Sequence, residues 1–539
     1  MKYYDIVIKN AKIIDGTGNP WYKADLGIKD QRIVDIGKIQ NSSETKNIID
    51  ADGLFVSPGF IDIHTHADLT VMPYPGCESN IFQGVTTSVV GNCGWSLAPL
   101  NDFNKKLVQG YFSPFLLEDF DYGWDWKSFG EYYDKISHLS FTMNLVPLIG
   151  QGTIRMAVKG FSQEETSKEE LQKMQSLLED ALKEGAFGLS AGLGYPPGGY
   201  TSTEELIGLT RILKNYDALF ACHIRDYGNL LENAVLEMIR IGKENDIPIL
   251  ISHLVVKGEK NWGFLVQKVL KNLENAREQG IEVYCDRYPY TAGCSTITQL
   301  LPLWALEGGT EKMLKRLQNK KDREEIKKDL IRNRVKENNG IQEVGLDQIV
   351  LNDVPGNPNY EGKSLQEIVT EKGQLDNAYD CIMDIILELE GKCTQVKHFA
   401  SQDDVDTVIT HPLSMVMSDG WLTNDSTPGK PHPRNFGTFP KYLKQYVKDK
   451  ELLTWEEAVR KITSMPATVL RLKDRGVIKE RFIADICIFD PNAIKDVATY
   501  QNPKQYPEGI EYVIVNGKVT VKNGSLLDTR NGLVLKKSN

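Results

Sequence analysis

No apolar run in this sequence approaches the ~18 residues that a membrane-spanning helix needs. Positive charge is in deficit too. Against 73 Asp and Glu stand 63 Lys and Arg, for a net charge of −10, whereas a phosphate backbone needs a basic partner surface. Membrane insertion and nucleic-acid binding are therefore not expected. The eight cysteines are scattered, without the regular spacing of a disulfide framework. The opening Met1-Lys2-Tyr3-Tyr4-Asp5 has neither the basic segment nor the apolar stretch of a secretory leader, and it leads directly into strand alternation. Low-complexity tracts and short-period repeats are also missing. What remains is the expectation of a soluble cytoplasmic enzyme, with a homo-oligomer left open. A chain of 539 residues can bury a large core and form about two to four domains.

What is present divides into β-rich ends and an alternating middle. Ile6 and Ile8 alternate with polar neighbours, Lys9-Asn10 predicts a turn towards Ile13-Ile14, and Leu26 and Ile28 precede Lys29-Asp30-Gln31-Arg32 and Ile33. Near the other end, Ala484 to Phe489 reads as a strand and Val513 to Thr520 as a hairpin around Asn516-Gly517. Residues 1–57 and 472–539 are thus expected to form one small β-sandwich domain. Between them, Glu169 to Glu184 carries Leu171, Met174, Leu178 and Leu182 at helical spacing, closed by Gly185. Short apolar strands ending at Ser190, His223, His253 and Asp286 alternate with further helices, including Glu204 to Asn215, Leu230 to Lys243 and Leu265 to Gln279. Such βα order implies a parallel sheet. Because strand after strand ends on a histidine or an acid, a TIM (β/α)8 barrel over 58–471 is expected, with its chemistry at the C-terminal strand ends. Glu311 to Asn338 mixes Lys, Arg and Glu, which predicts a solvated helical insertion at about 298–355 and not a basic binding patch.

The strongest chemical signal is Pro58-Gly59-Phe60-Ile61-Asp62-Ile63-His64-Thr65-His66. Side chains two apart on a strand face the same way, so His64 and His66 would point at one spot. Converging neutral imidazoles suit Zn²⁺ or a similar metal. A His-x-His pair alone is a weak signal. Its weight here comes from His223, His253 and Asp419, each at the end of an expected barrel strand, in a chain with eight histidines.

Together with Gly91-Asn92-Cys93-Gly94, Ser190-Ala191-Gly192-Leu193-Gly194-Tyr195, His223-Ile224-Arg225-Asp226, Ser252-His253-Leu254, Tyr288-Pro289-Tyr290, Ser418-Asp419-Gly420 and His432-Pro433-Arg434, these residues give a pattern that covers nearly the whole chain. It resembles the N-acyl-D-amino-acid deacylase (D-aminoacylase) branch of the amidohydrolase superfamily. The resemblance implies a metal-dependent hydrolase acting on the linear amide of an N-acyl-D-amino acid. Cys93 would take the bridging place that a carboxylated lysine holds in many relatives, since a metal removes a thiol proton and thiolate binds Zn²⁺ well. Cys93, His223 and His253 would hold one tight Zn²⁺; His64, His66 and Asp419 would border a second divalent position that is weaker or empty.

By the same resemblance, Asp419 is the general base and then the acid for metal-activated water. Arg434 would hold the substrate α-carboxylate through two parallel hydrogen bonds, and Tyr195 and Tyr288 would contact the substrate or the oxyanion. Three departures bear on the substrate: Val255 stands where a lysine often follows His253 by two, Gln151 replaces a histidine after Gly150, and an acidic pair after His223 is reduced to Asp226-Tyr227. An apolar Val255 predicts a preference for apolar or aromatic side chains over acidic ones. Two other readings compete. A cyclic-amide hydrolase of the hydantoinase or dihydroorotase type shares the histidines but usually uses a lysine in place of Cys93. A metal-free scaffold subunit should have lost ligands, and all six are present.

Overall fold

The computed structural model describes residues 3–40, 44–332 and 340–537. Both ends of the chain join in one nine-stranded sheet. Tyr3–Ile13, Tyr22–Lys29 and Arg32–Gly37 run antiparallel, while Glu44–Asp50 and Phe55–Pro58 lie parallel to the first of them. Ile486–Phe489 pairs with Phe55–Pro58 and carries the sheet on through Ile510–Val515, Lys518–Lys522 and Ser525–Leu526. The period-two apolar residues explain this union. Ile6, Ile8, Leu26, Ile28 and Ile33 from one end share a buried cluster with Ile486, Ile488 and Ile514 from the other.

One local expectation fails here. Lys9-Asn10 is no turn, because Tyr3–Ile13 is a single strand whose register slips between Ile8 and Ala11. Ile8 and Ala11, three residues apart, would face opposite sides of a plain strand, yet both are fully buried in the same cluster. A bulge supplies the extra residue, with Asn10 at a φ of 59°, a conformation asparagine tolerates better than most.

Eight parallel strands form the barrel: Phe60–Asp62, Val85–Val90, Asn144–Pro147 (continued by Ile149–Gly150), Gly188–Gly192, Leu219–His223, Ile249–Ile251, Val283–Arg287 and Ser414–Val416. The ring closes between the last strand and the first, where Asp419 N–H donates to His64 O at 2.9 Å and His66 N–H to Gly420 O at 2.7 Å. Ile61, Val89, Val146, Leu219, Leu250 and Met415 fill the interior, the layered packing a small barrel requires. Amphipathic helices cover the outside. Lys168–Lys183 starts on a capping box of Ser167 and Glu170, buries Met174, Leu178 and Leu182, and stops at Gly185 with φ 110°.

After Val283–Arg287 the chain leaves the barrel for about a hundred residues. This insertion is longer and more mixed than its charge pattern predicts. Helices Thr310–Gln318 and Lys320–Arg332 lie in the expected charged run, whose end at Asn338 falls outside the described residues. They are joined by an antiparallel sheet of Ala292–Thr296, Thr394–His398 and Ile349–Asp353, and by helices Leu365–Glu371 and Ala378–Glu388. The insertion has its own core, from Ile297 to Cys393. Its strands are five residues long and partly polar, as in Thr394-Gln395-Val396-Lys397-His398, too short for alternation to stand out.

Candidate metal centre and substrate cavity

The barrel brings the expected site residues to its C-terminal mouth. His64 and His66 follow Phe60–Asp62, Cys93 follows Val85–Val90, His223 ends its strand, and His253 and Asp419 follow theirs. One donor atom from each of His64, Cys93, His253 and Asp419 lies within 4.8 Å of the other three. Cys93 Sγ is 3.2 Å from His64 Nε2 and 3.5 Å from His253 Nε2. His223 and His66 adjoin this cluster. His223 Nδ1 is 3.0 Å from His253 Nε2, and His66 Nε2 is 3.2 Å from Asp419 Oδ1.

The backbone is held in unusual conformations to achieve this. Cys93, His253 and Asp419 have φ of 56°, 37° and 52°, a region costly for residues other than glycine and concentrated at functional sites. Glycines flank the Asn92-Cys93 pair for a steric reason. A Cβ on Gly91 would come within 2.1 Å of Leu148 O, and one on Gly94 within 2.8 Å of Gly192 N. Asn92 ties the loop to its own strand and to the segment after the first strand, donating from Nδ2 to Val89 O at 3.0 Å and Thr65 O at 3.3 Å.

Electrostatics favour a bound cation. Burial alone would push the Cys93 thiol up, but the charge on His64 and contacts from His223 and His253 hold it well below its usual range. Burial opposes charging of His64, and the Cys93 and Asp286 charges override it and raise the imidazole well above normal. His66 is raised to about 9 against burial, chiefly by its hydrogen bond with Asp419. Burial and the adjacent His253 lower His223 to about 4. Burial of Asp419 is outweighed by Arg434, then by His66 and His64, so its carboxyl stays below the ordinary range. A thiolate and a carboxylate are thus balanced by protons on two imidazoles, and a divalent cation can replace those protons. The donors are thiolate, imidazole and carboxylate, the set that suits Zn²⁺. The residues therefore fit the metal.

Arg434, the first residue of helix Arg434–Leu443, is 1% exposed, and its Nη1 is 2.8 Å from Asp419 Oδ2. His432 positions it, accepting from Arg434 N–H at Nδ1 (3.0 Å) with Nε2 against Ala292 O (3.1 Å). Tyr288 stacks between two guanidinium groups, 5.0 Å from Arg434 and 4.0 Å from Arg287. Tyr195 lines the cavity, but its hydroxyl is occupied, donating to Cys93 O at 2.8 Å. Gln151 is not in the cavity wall; it is buried, with Nε2 donating to Thr201 at 2.9 Å. Val255 does line the wall, with Trp95, Phe115, Tyr227, Phe399 and Trp421.

Asp286 is the functional residue that sequence reasoning left unassigned. It is the last residue but one of the strand Val283–Arg287, accepts from His253 N–H, and its Oδ2 is 3.5 Å from His64 Nδ1, so it holds two donor imidazoles in place. The signal was an acid at a strand end in βα order, the same one that marked Asp419.

The chain is similar to known proteins along nearly its whole length. The Amidohydrolase family model matches residues 47–226 and 394–521, and that of the Urease alpha-subunit, N-terminal domain matches residues 1–59. A D-aminoacylase of Alcaligenes xylosoxydans xylosoxydans is 32% identical over 95% of this chain and 94% of its own length. An N-acyl-D-glutamate deacylase of the same organism is 33% identical over 95% and 93%. The crystal structure of N-acyl-D-glutamate deacylase from Bordetella bronchiseptica, complexed with zinc and a phosphonate mimic of the tetrahedral intermediate, superposes with a TM-score of 0.82 at 30% identity, covering 99% of this chain and all of that one (100%). These near-equal identities do not choose between the side chains the relatives accept.

Proposed function

This chain belongs to the amidohydrolase family, and from that premise we propose that it hydrolyses the linear amide of N-acyl-D-amino acids to a carboxylate and a free D-amino acid. One observation carries the reading: a buried thiolate, Cys93, lies between His64 and His253, with the Asp419 carboxylate and its Arg434 partner completing the cluster. That set does not need the lysine of cyclic-amide hydrolases. His64, His66, Cys93, His223, His253 and Asp419 would hold one Zn²⁺ tightly and a second divalent cation more weakly. When bound, the cation supplies Lewis acidity, lowering the pKa of water and polarising the amide carbonyl.

The chain's own residues supply the remainder. Arg434 takes the substrate α-carboxylate, and Tyr288 holds the guanidinium plane. Arg434 already faces Asp419, so a substrate carboxylate draws part of that charge away and makes Asp419 a better proton acceptor. Asp419 Oδ1 receives the proton of the attacking water and passes it to the leaving nitrogen. Tyr195 is a positioning residue, holding the Cys93 loop through its carbonyl. Trp95, Phe115 and Trp421 form an aromatic wall, with ring centroids 4.8 Å and 5.7 Å apart in sequence, and exclude bulk water from the proton transfer. We also propose a cytoplasmic location. All eight cysteines are unpaired, in keeping with a reducing compartment, and no helix among the described residues is long and apolar enough to cross a membrane.

A panel of N-acetyl amino acids in both enantiomers, their α-amides and simple hydantoins tests the reading. The D-acids should be hydrolysed, and the L-acids, amides and hydantoins hardly at all. Arg434→Lys should cost about 1.5–3 kcal/mol, roughly ten- to hundredfold in kcat/KM, because an ammonium cannot reproduce the paired contact. A preference for hydantoins or L-acids would sink the proposal.

A further inference from the structure

The substrate cavity carries more positive charge than a single carboxylate uses. Outside the metal cluster its charged lining residues are all cations: Arg434, Lys257 and Lys397. Arg434 faces Asp419, the one acid in the wall. Neither lysine forms an ion pair with a described residue. The Nζ of Lys257 lies over aromatic faces, 5.1 Å from the ring centroids of both Tyr227 and Phe399. Lys397 is on the Thr394–His398 strand of the insertion, opposite Gly293. The acids whose charges act on them, Glu343 on both and Asp226 on Lys257, do not line the cavity. Asp226 is committed elsewhere, its Oδ1 accepting from Gly228 N–H at 2.6 Å and Leu230 N–H at 3.0 Å. Burial, with the charge of Lys257 added, lowers Lys397 to about 8. Two half-buried ammonium groups lining one cavity are costly, and an anion bound there would relieve both.

We propose that Lys257 and Lys397 form a second anion subsite, and that the preferred substrate is an N-acyl-D-amino acid bearing a carboxylate on its side chain. The proposal rests on the deacylase reading above and narrows its substrate class. It reverses the expectation drawn from Val255. That residue does present an apolar surface, but lysine returns two positions later, and a second one arrives from the insertion. The α-carboxylate goes to Arg434, the side-chain carboxylate to the lysine pair, and the amide between them lies at the metal cluster.

The test compares kcat/KM for N-acetyl-D-glutamate with that for N-acetyl-D-glutamine, which has the same shape without the charge. A neutral pocket would favour glutamine, since a carboxylate desolvated without a partner is penalised. The native enzyme should favour glutamate by about tenfold or more, as expected for a charge-assisted contact. Lys397→Met and Lys257→Met should each cut that ratio at least about fivefold, and Lys397→Arg should retain it. Turnover of the glutamine substrate with no glutamate preference, or a ratio unmoved in both methionine variants, overturns the subsite and leaves the deacylase reading intact. Hydrolysis of neither compound overturns both.

Discussion

Asp419→Asn should lower kcat by at least ~10², the low end for loss of a general acid–base group. The side chain keeps its size but can no longer take a proton at Oδ1. Its surroundings make the change severe. Asp419 Oδ1 lies 3.4 Å from His64 Nε2 and 3.2 Å from His66 Nε2, and Oδ2 faces Arg434 Nη1. An amide in that place turns NH2 towards other donors and leaves a fully buried guanidinium without its counter-charge, a loss of about 3–5 kcal/mol in comparable buried pairs. Thermal unfolding and metal content should therefore be measured beside turnover. The variant should fold, retain the tightly held metal and lose its rate. Near-native turnover would assign the proton transfer to another group.

The second large effect concerns metal and not rate. Cys93→Ala should release the tightly held Zn²⁺ on dialysis and should lose it more completely than His64→Ala does. Loss of an outer-shell partner costs ~10–100-fold in metal affinity, and a thiolate between two imidazoles should cost more. Metal analysis reads this directly, independent of any substrate. Cys93→Ala protein that keeps a full equivalent of Zn²⁺ would remove the thiolate from the centre. Asp286→Asn is a useful contrast, since it weakens the hold on His64 and His253 and leaves every donor in place.

How much of this was legible in the sequence varied with the kind of signal. His64, His66, His223, His253 and Asp419 could be read from residue type and strand position, because a barrel forces strand ends to one face. Cys93 could not. A lone cysteine after an apolar strand more often packs as an inert core residue, and only the resemblance singled it out. Arg434 was assigned the same way, since nothing local announces that a helix beginning at Arg434 points its first side chain into the barrel mouth. The two lysines show a different limit. Lys257 lies beyond its strand, after the apolar run Leu254-Val255-Val256, and Lys397 is brought over the barrel by a sheet that closes across more than a hundred residues. The Asn10 bulge was missed because Lys-Asn signals a turn as readily as a bulge. The burial of both Ile8 and Ala11 decides between them.

The most direct test of the central claim is hydrolysis of N-acetyl-D-glutamate and N-acetyl-D-glutamine, with their L-enantiomers, by protein stripped with a strong chelator and then reloaded. The stripped protein should show no turnover, activity should return with Zn²⁺ or Co²⁺ as about one to two equivalents bind per chain, and cleavage should be confined to the D-compounds. Full hydrolysis by metal-free protein, or equal cleavage of the L-compounds, would contradict it.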